Sequence, residues 1–136
     1  MIIGIGTDLC DIRRIEKTLE RFGDKFTSRV FTETECKKAL GKQLPAASFA
    51  QSFAAKEACA KALGTGFRNG VFWRDLAVRN KPGGQPFMEL SGGAKKRLES
   101  LLPPGTVANI QLSQSDEYPM ANAVVIIEAV AGQHDT

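Results

Sequence analysis

From Ile2 to Leu9 the side chains sort with a period of two. Ile3, Ile5, Thr7 and Leu9 share one face of an extended segment; Ile2, Gly4, Gly6 and Asp8 share the other. A strand is predicted here. Two glycines on one face weaken it, so something is expected to approach that surface closely. At Asp11 the period changes. Asp11 reads as the N-cap of a helix running to about Phe22, with Ile12, Ile15, Leu19 and Phe22 as its buried stripe and Gly23 as its stop. Asp24 to Val30 makes a short turn of helix, and Thr32-Glu-Thr-Glu35 is a capping-box pattern opening another through about Leu40. Gly41 to Ala47 is expected to be a loop, with Ser48 capping the next helix and Gln51 in the matching position.

That next helix is the longest pattern in the chain. It runs from Phe49 through an Ala-rich stretch and is closed by Gly64 and Gly66. Ala50, Ala54, Ala58 and Ala62 recur at every fourth position beside Ala55, Cys59 and Leu63, a low-relief face suited to close packing. A separate row holds Phe53, Glu57 and Lys61. Beyond it, Trp73 to Asn80 reads as a strand with Leu76 and Val78 inward, and Gln85 to Leu90 pairs with it across the turn at Lys81 to Gly84. Ser91 caps a helix from about Gly92 to Leu102, stopped by Pro103-Pro104-Gly105. Val107 to Ser113 and Ala121 to Val130 are the last strands, joined by a turn from Gln114 to Pro119. The second is almost continuously apolar and therefore central. The sum is one α+β domain over residues 1–131, an antiparallel sheet packed against a long central helix, with residues 132–136 a polar tail expected to be disordered.

Composition narrows the function classes. The 136 residues are 43% apolar and 24% charged, ordinary for one globular domain. No run is apolar enough for a membrane span, and the start lacks the pattern of a secretory signal, so no membrane association is expected. Cys10, Cys36 and Cys59 are widely spaced with no CxxC pair, and the single histidine, His134, lies in the tail. Reduced thiols in a cytoplasmic protein follow, with no evident zinc site or Cys–His nucleophile. A net charge of +3 is mild, and with one Trp and one Tyr it argues against a nucleic-acid binder. Arg13, Arg14, Lys17 and Arg21 gather on the far side of the first helix, while Glu16 and Glu20 keep to one flank. The other flank suits an acidic protein surface.

Candidate chemistry centres on Asp8, Glu57 and Lys61. Each has an ordinary reading: Asp8 as an exposed strand end beside a bulge, and Glu57 with Lys61 as a surface pair worth ~0.3–0.5 kcal/mol. Taken together, two carboxylates and a lysine form an oxygen-ligand set for Mg²⁺ bound to a phosphate group. Neither nucleotide fingerprint applies, because GxxxxGK[ST] is absent and Gly4-Ile5-Gly6 lacks the third glycine of GxGxxG.

The joint occurrence of Gly4-Ile-Gly-Thr-Asp8, Arg14-Ile-Glu16 and Phe53-Ala-Ala-Lys-Glu-Ala-Cys-Ala-Lys61-Ala-Leu-Gly-Thr-Gly66 closely resembles the short bacterial holo-acyl-carrier-protein synthases, a group of 4'-phosphopantetheinyl transferases. The resemblance extends from residue 2 to about residue 129. It implies transfer of 4'-phosphopantetheine from coenzyme A to a serine of apo acyl carrier protein, releasing adenosine 3',5'-bisphosphate, within fatty acid biosynthesis. It further implies Asp8 and Glu57 as Mg²⁺ ligands and Lys61 as a phosphate contact aiding the leaving group. Gly64, Gly66 and Lys56 then border the cofactor, Lys56 in either a structural or a phosphate-side role. The serine proton goes to Glu57 or to a metal-activated water, which the sequence leaves open. Arg14, with Arg13, Lys17 and Arg21, matches a carrier-protein docking face, and the short members are similar to homotrimers with sites between subunits. One departure stands out: Gln114 occupies a position where many members carry histidine, which affects how the adenosine end is held. Two other classes are weighed against this enzyme: a non-catalytic module docking acidic carrier proteins, and a nucleic-acid binder.

Overall fold

The computed structural model describes residues 1–132. Strand β1 (Ile2–Asp11) feeds α1 (Ile12–Phe22), α2 (Asp24–Val30), α3 (Glu33–Leu40) and the long α4 (Pro45–Ala62). A 3₁₀ turn, Trp73–Asp75, leads into the hairpin β2 (Leu76–Asn80) and β3 (Pro86–Leu90), followed by α5 (Gly92–Leu101), β4 (Thr106–Glu117) and β5 (Met120–Ala131). The main sheet has the order β1-β5-β4, antiparallel throughout, so the apolar strand is central as expected. Residues Gln133–Thr136, which hold the expected polar tail and His134, lie outside the described residues.

Helix α4 lies on the sheet because both surfaces are nearly flat. A Cβ on Gly4 would sit 2.1 Å from the carbonyl oxygen of Ala62, and one on Gly6 would sit 1.9 Å from that of Ala58. Helix backbone therefore rests directly on strand backbone, and the two run in opposite directions. Ala121, Ala123, Val125 and Ile127 of β5 complete this interface, all fully buried. The other side of α4 meets a cluster of aromatic rings. Phe53 stacks on Trp73 with centroids 4.9 Å apart, Trp73 stacks on Phe67, and Phe31 packs against Phe49 at 4.7 Å. Such pairs contribute about 0.5–1.5 kcal/mol each beyond their buried area.

Several boundaries differ from the sequence reading. Helix α4 starts at Pro45, with Leu44 as N-cap, so Ser48 is inside the helix and caps nothing. Proline at the first helical position has its φ already set and lacks only an N–H that would have no intrahelical partner. Residues Trp73–Asp75 are 3₁₀ rather than strand. The β4–β5 ladder continues to Glu117↔Met120, so Gln114 belongs to a strand and the turn shrinks to Tyr118-Pro119. The polar run there marks an exposed hairpin end, where Ser115 Oγ meets Asn122 Oδ1 at 2.7 Å across the ladder. Phe22 is 49% exposed and leaves the buried stripe of α1, which rests on Ile12 and Ile15. A bulge between Ile2 and Gly4 takes Ile2 off the glycine face. Other expectations hold: Asp11 caps α1 by accepting from the Arg13 N–H, and Thr32 with Glu35 forms the capping box of α3.

Candidate active site

Asp8 reaches the edge of the α4 interface because it follows Gly4 and Gly6 on the inner face of β1. Glycine lets α4 sink onto the strand, and the first side chain beyond the contact emerges beside the helix. Lys61 meets it there. Its Nζ donates to Asp8 Oδ1 at 3.1 Å and to the Thr7 carbonyl at 2.9 Å. Two of the ammonium's three protons are thereby directed, leaving one for a further acceptor. Glu57, one helical turn before Lys61, is half-buried on the same row. Burial raises its pKa above the usual carboxylate value, and Asp8 raises it further, while Lys61 and Arg14 pull it down. The two carboxylates are thus close enough to repel, with α1 contributing a compensating arginine.

Cys10 lies beneath this group on the same strand face. Burial first, then the charge of Asp8, pushes its thiol to about 11, so it is a neutral floor rather than a nucleophile. Cys59 is pushed up to about 12 by burial alone. Cys10, Cys36 and Cys59 are all free thiols, as the sequence reading expected.

Gly64 and Gly66 form the turn one step beyond Lys61. Both have positive φ, 78° and 59°, and their N–H groups close the end of α4 on the carbonyls of Lys61 and Ala60. Arg97 of α5 braces this turn, donating Nε–H to the Leu63 carbonyl at 2.9 Å.

Lys56 does not reach the site. Its side chain is fully buried on the opposite side of α4, where Nζ pairs with Glu35 Oε1 at 2.7 Å and donates to the Trp73 carbonyl at 3.2 Å. The cofactor-side reading of Lys56 is corrected to a structural one: its charge is already matched inside the core. Gln114 donates Nε2–H to the Gln51 carbonyl of α4 at 2.9 Å. It shares Ala123 with Asp8 as ladder partner, so the two lie about 10 Å apart across the sheet's inner face.

On α1, Arg13 is tied to Asp11 at 2.7 Å. Arg14, Lys17 and Arg21 are exposed and, among the described residues, form no salt bridge. The sequence reading missed three participants. The Thr7 contact is a backbone carbonyl, which no side-chain pattern reveals, and Glu35 was accounted for as a capping residue. Cys10 was accessible from the same period of two that linked Gly4, Gly6 and Asp8.

A carboxylate within β1 and a half-buried glutamate are hard oxygen donors suited to a divalent cation, and the lysine beside them suits phosphate. The matches to known proteins extend over nearly the whole chain. The family model described as the 4'-phosphopantetheinyl transferase superfamily matches residues 4–122. The chain belongs to that superfamily. A holo-(acyl-carrier-protein) synthase of Brucella ovis is 62% identical over 130 residues, covering 96% of this chain and 97% of that one. Among solved structures, the synthase of Neisseria meningitidis superposes with a TM-score of 0.82 at 36% identity, covering 94% of this chain and 99% of the other. That of Bacillus anthracis, solved in complex with CoA (3',5'-ADP), has a TM-score of 0.75 at 36% identity and covers 96% and 99%. The α+β transferase fold with its antiparallel sheets is therefore that of the superfamily.

Proposed function

We propose that this transferase moves 4'-phosphopantetheine from coenzyme A to a serine hydroxyl of apo acyl carrier protein, releasing adenosine 3',5'-bisphosphate. The observation that carries the reading is the meeting of Asp8, Glu57 and Lys61 at the edge of the α4–β1 contact, in a chain whose relatives are synthases of this kind. The serine oxygen attacks the phosphorus nearest pantetheine. The bond from that phosphorus to the bridging oxygen breaks, and its electrons stay on the departing bisphosphate. Lys61, with one proton undirected, meets charge growing on a phosphate oxygen. Glu57, half-buried one helical turn before Lys61, is placed to take the serine proton. Asp8 and Glu57 would hold Mg²⁺, which supplies neutralisation of the diphosphate.

Arg14, Lys17 and Arg21 would meet the acidic carrier protein, with Arg13 held beside them by Asp11. The chain acts as a homotrimer in the cytoplasm. In support, the outer face of the main sheet leaves Ile5 and Leu9 64% and 63% exposed. Among the described residues no helix is long and apolar enough to cross a membrane.

Incubation with apo carrier protein, coenzyme A and Mg²⁺ tests the reaction. Mass spectrometry should record a gain of one phosphopantetheine per carrier protein, abolished by chelator and by Asp8→Asn. Carrier-protein binding that survives both, with no mass gain in any arm, would mean a docking module instead.

A further inference from the structure

Helix α4 must present Glu57 to Asp8, and its backbone contact with Gly4 and Gly6 sets its height over β1. Alanines on glycines and small side chains form a smooth interface, with few large side chains to lock into matching grooves. A second, directional constraint acts on its far side. Glu35 is 3% exposed and its carboxylate accepts from three elements at once. Oε1 takes the Thr32 N–H at 3.0 Å and Lys56 Nζ at 2.7 Å, and Oε2 takes the Val78 N–H at 2.7 Å. Lys56 Nζ then reaches the Trp73 carbonyl and lies 5.7 Å from the Phe31 ring centre. One buried ion pair thus ties together α3, α4, the 3₁₀ turn and β2. No buried side-chain polar atom among the described residues lacks a partner.

A buried pair of this kind is seldom the most stable filling, because an apolar pair of equal volume avoids the desolvation cost. Its distinctive property is direction. Lys56 and Glu57 are adjacent, and successive side chains on a helix are about 100° apart. Holding Lys56 to Glu35 therefore sets where Glu57 points.

We propose that Glu35 and Lys56 are positioning residues for transfer: their ion pair, acting from the far side, sets the rotation of α4 that brings Glu57 and Lys61 to Asp8. Glu35 is the new assignment, since its place in a capping box accounts for only one of its bonds. The inference rests on the reading of Asp8 and Glu57 as the metal-binding pair, and the test separates the two.

The first variant is the double change Glu35→Gln with Lys56→Met, which removes both charges and leaves neither buried alone. The second is Glu35→Asp, which keeps the pair and shortens it by one methylene. Glu57→Gln is the control. Each protein is checked for folding by near-UV circular dichroism. It is then measured for Mn²⁺ binding by electron paramagnetic resonance without coenzyme A, and for turnover with both substrates varied. In folded double variant, Mn²⁺ affinity and kcat should each fall about 10–100-fold, the usual scale for groups that orient a ligand. KM for carrier protein should stay within twofold, because α1 is untouched. Glu35→Asp should lose several-fold in the same two quantities, and it decides the matter if the double variant does not fold. Parent-like Mn²⁺ affinity and kcat in a folded variant, beside an inactive Glu57→Gln, would overturn the positioning role alone. Normal turnover by Glu57→Gln would instead overturn the site on which it rests.

Discussion

At the scale of single residues, the site is a balance of like and unlike charge. Glu57 is raised by burial and by Asp8, and Lys61 and Arg14 offset this only in part. A carboxyl whose folded pKa exceeds its unfolded value binds its proton more tightly when folded. The metal-free protein therefore loses stability as pH rises from the ordinary glutamate range through the raised value. A bound divalent cation favours the ionised form and should reverse that loss. Activity has the matching limb: kcat/KM should fall on acidification at a pH above that of an unperturbed glutamate, and higher Mg²⁺ should move the limb to lower pH. A pH–rate profile at two Mg²⁺ concentrations checks this, and superimposable acid limbs would remove Glu57 from the metal site. Asp8 and Glu57 were legible as carboxylates in the sequence. Their mutual repulsion was not, because it depends on a distance between a strand and a helix separated by almost fifty residues of chain.

Among the elements, the β1–α4 contact and the face of α1 carry the function. With Gly6 directly under the Ala58 carbonyl, Gly6→Ala has no room: the new Cβ would lie 1.9 Å from that oxygen, which is backbone and cannot swing aside. The helix must lift. A loss of about 2–3 kcal/mol is expected from overpacking of this kind, measured by denaturant midpoint, with turnover reduced even where the variant is folded. Retained stability would mean that α4 does not rest on β1 as described. On α1, Arg14 faces outward yet lies near enough to Glu57 to lower its pKa, so it links docking to chemistry. Arg14→Glu should raise KM for carrier protein by roughly tenfold with KM for coenzyme A little changed, since a rim charge acts mainly on encounter. Equal effects on both substrates would move Arg14 from the docking face to the site. Both elements could be read from period alone, whereas the start of α4 could not. Polar Ser48 resembled a cap, but Pro45 had the decisive backbone geometry, and the two signals compete within four positions.

For the whole molecule, the outer face of the sheet is the unfinished part. Ile5 and Leu9 on β1 and Val107 on β4 are 64%, 63% and 49% exposed, on the face of the sheet turned away from α4. If three copies close over that face, Leu9→Lys should convert a trimer into monomers by analytical ultracentrifugation and abolish transfer, while binding of carrier protein through α1 persists. A parent protein that sediments as a monomer would refute the trimer outright. The residue order alone was enough to establish the succession of strands and helices, the central place of the apolar last strand, and that a glycine-lined strand and an alanine-lined helix each offer a face for close packing. These follow from local periodicity, which a linear chain displays without folding. Tertiary structure alone decided that Lys56 turns inward to Glu35 while Lys61, on the row of Glu57, meets Asp8. Neighbouring helical side chains diverge by about 100°, and which of them is buried depends on what the rest of the chain places on each side.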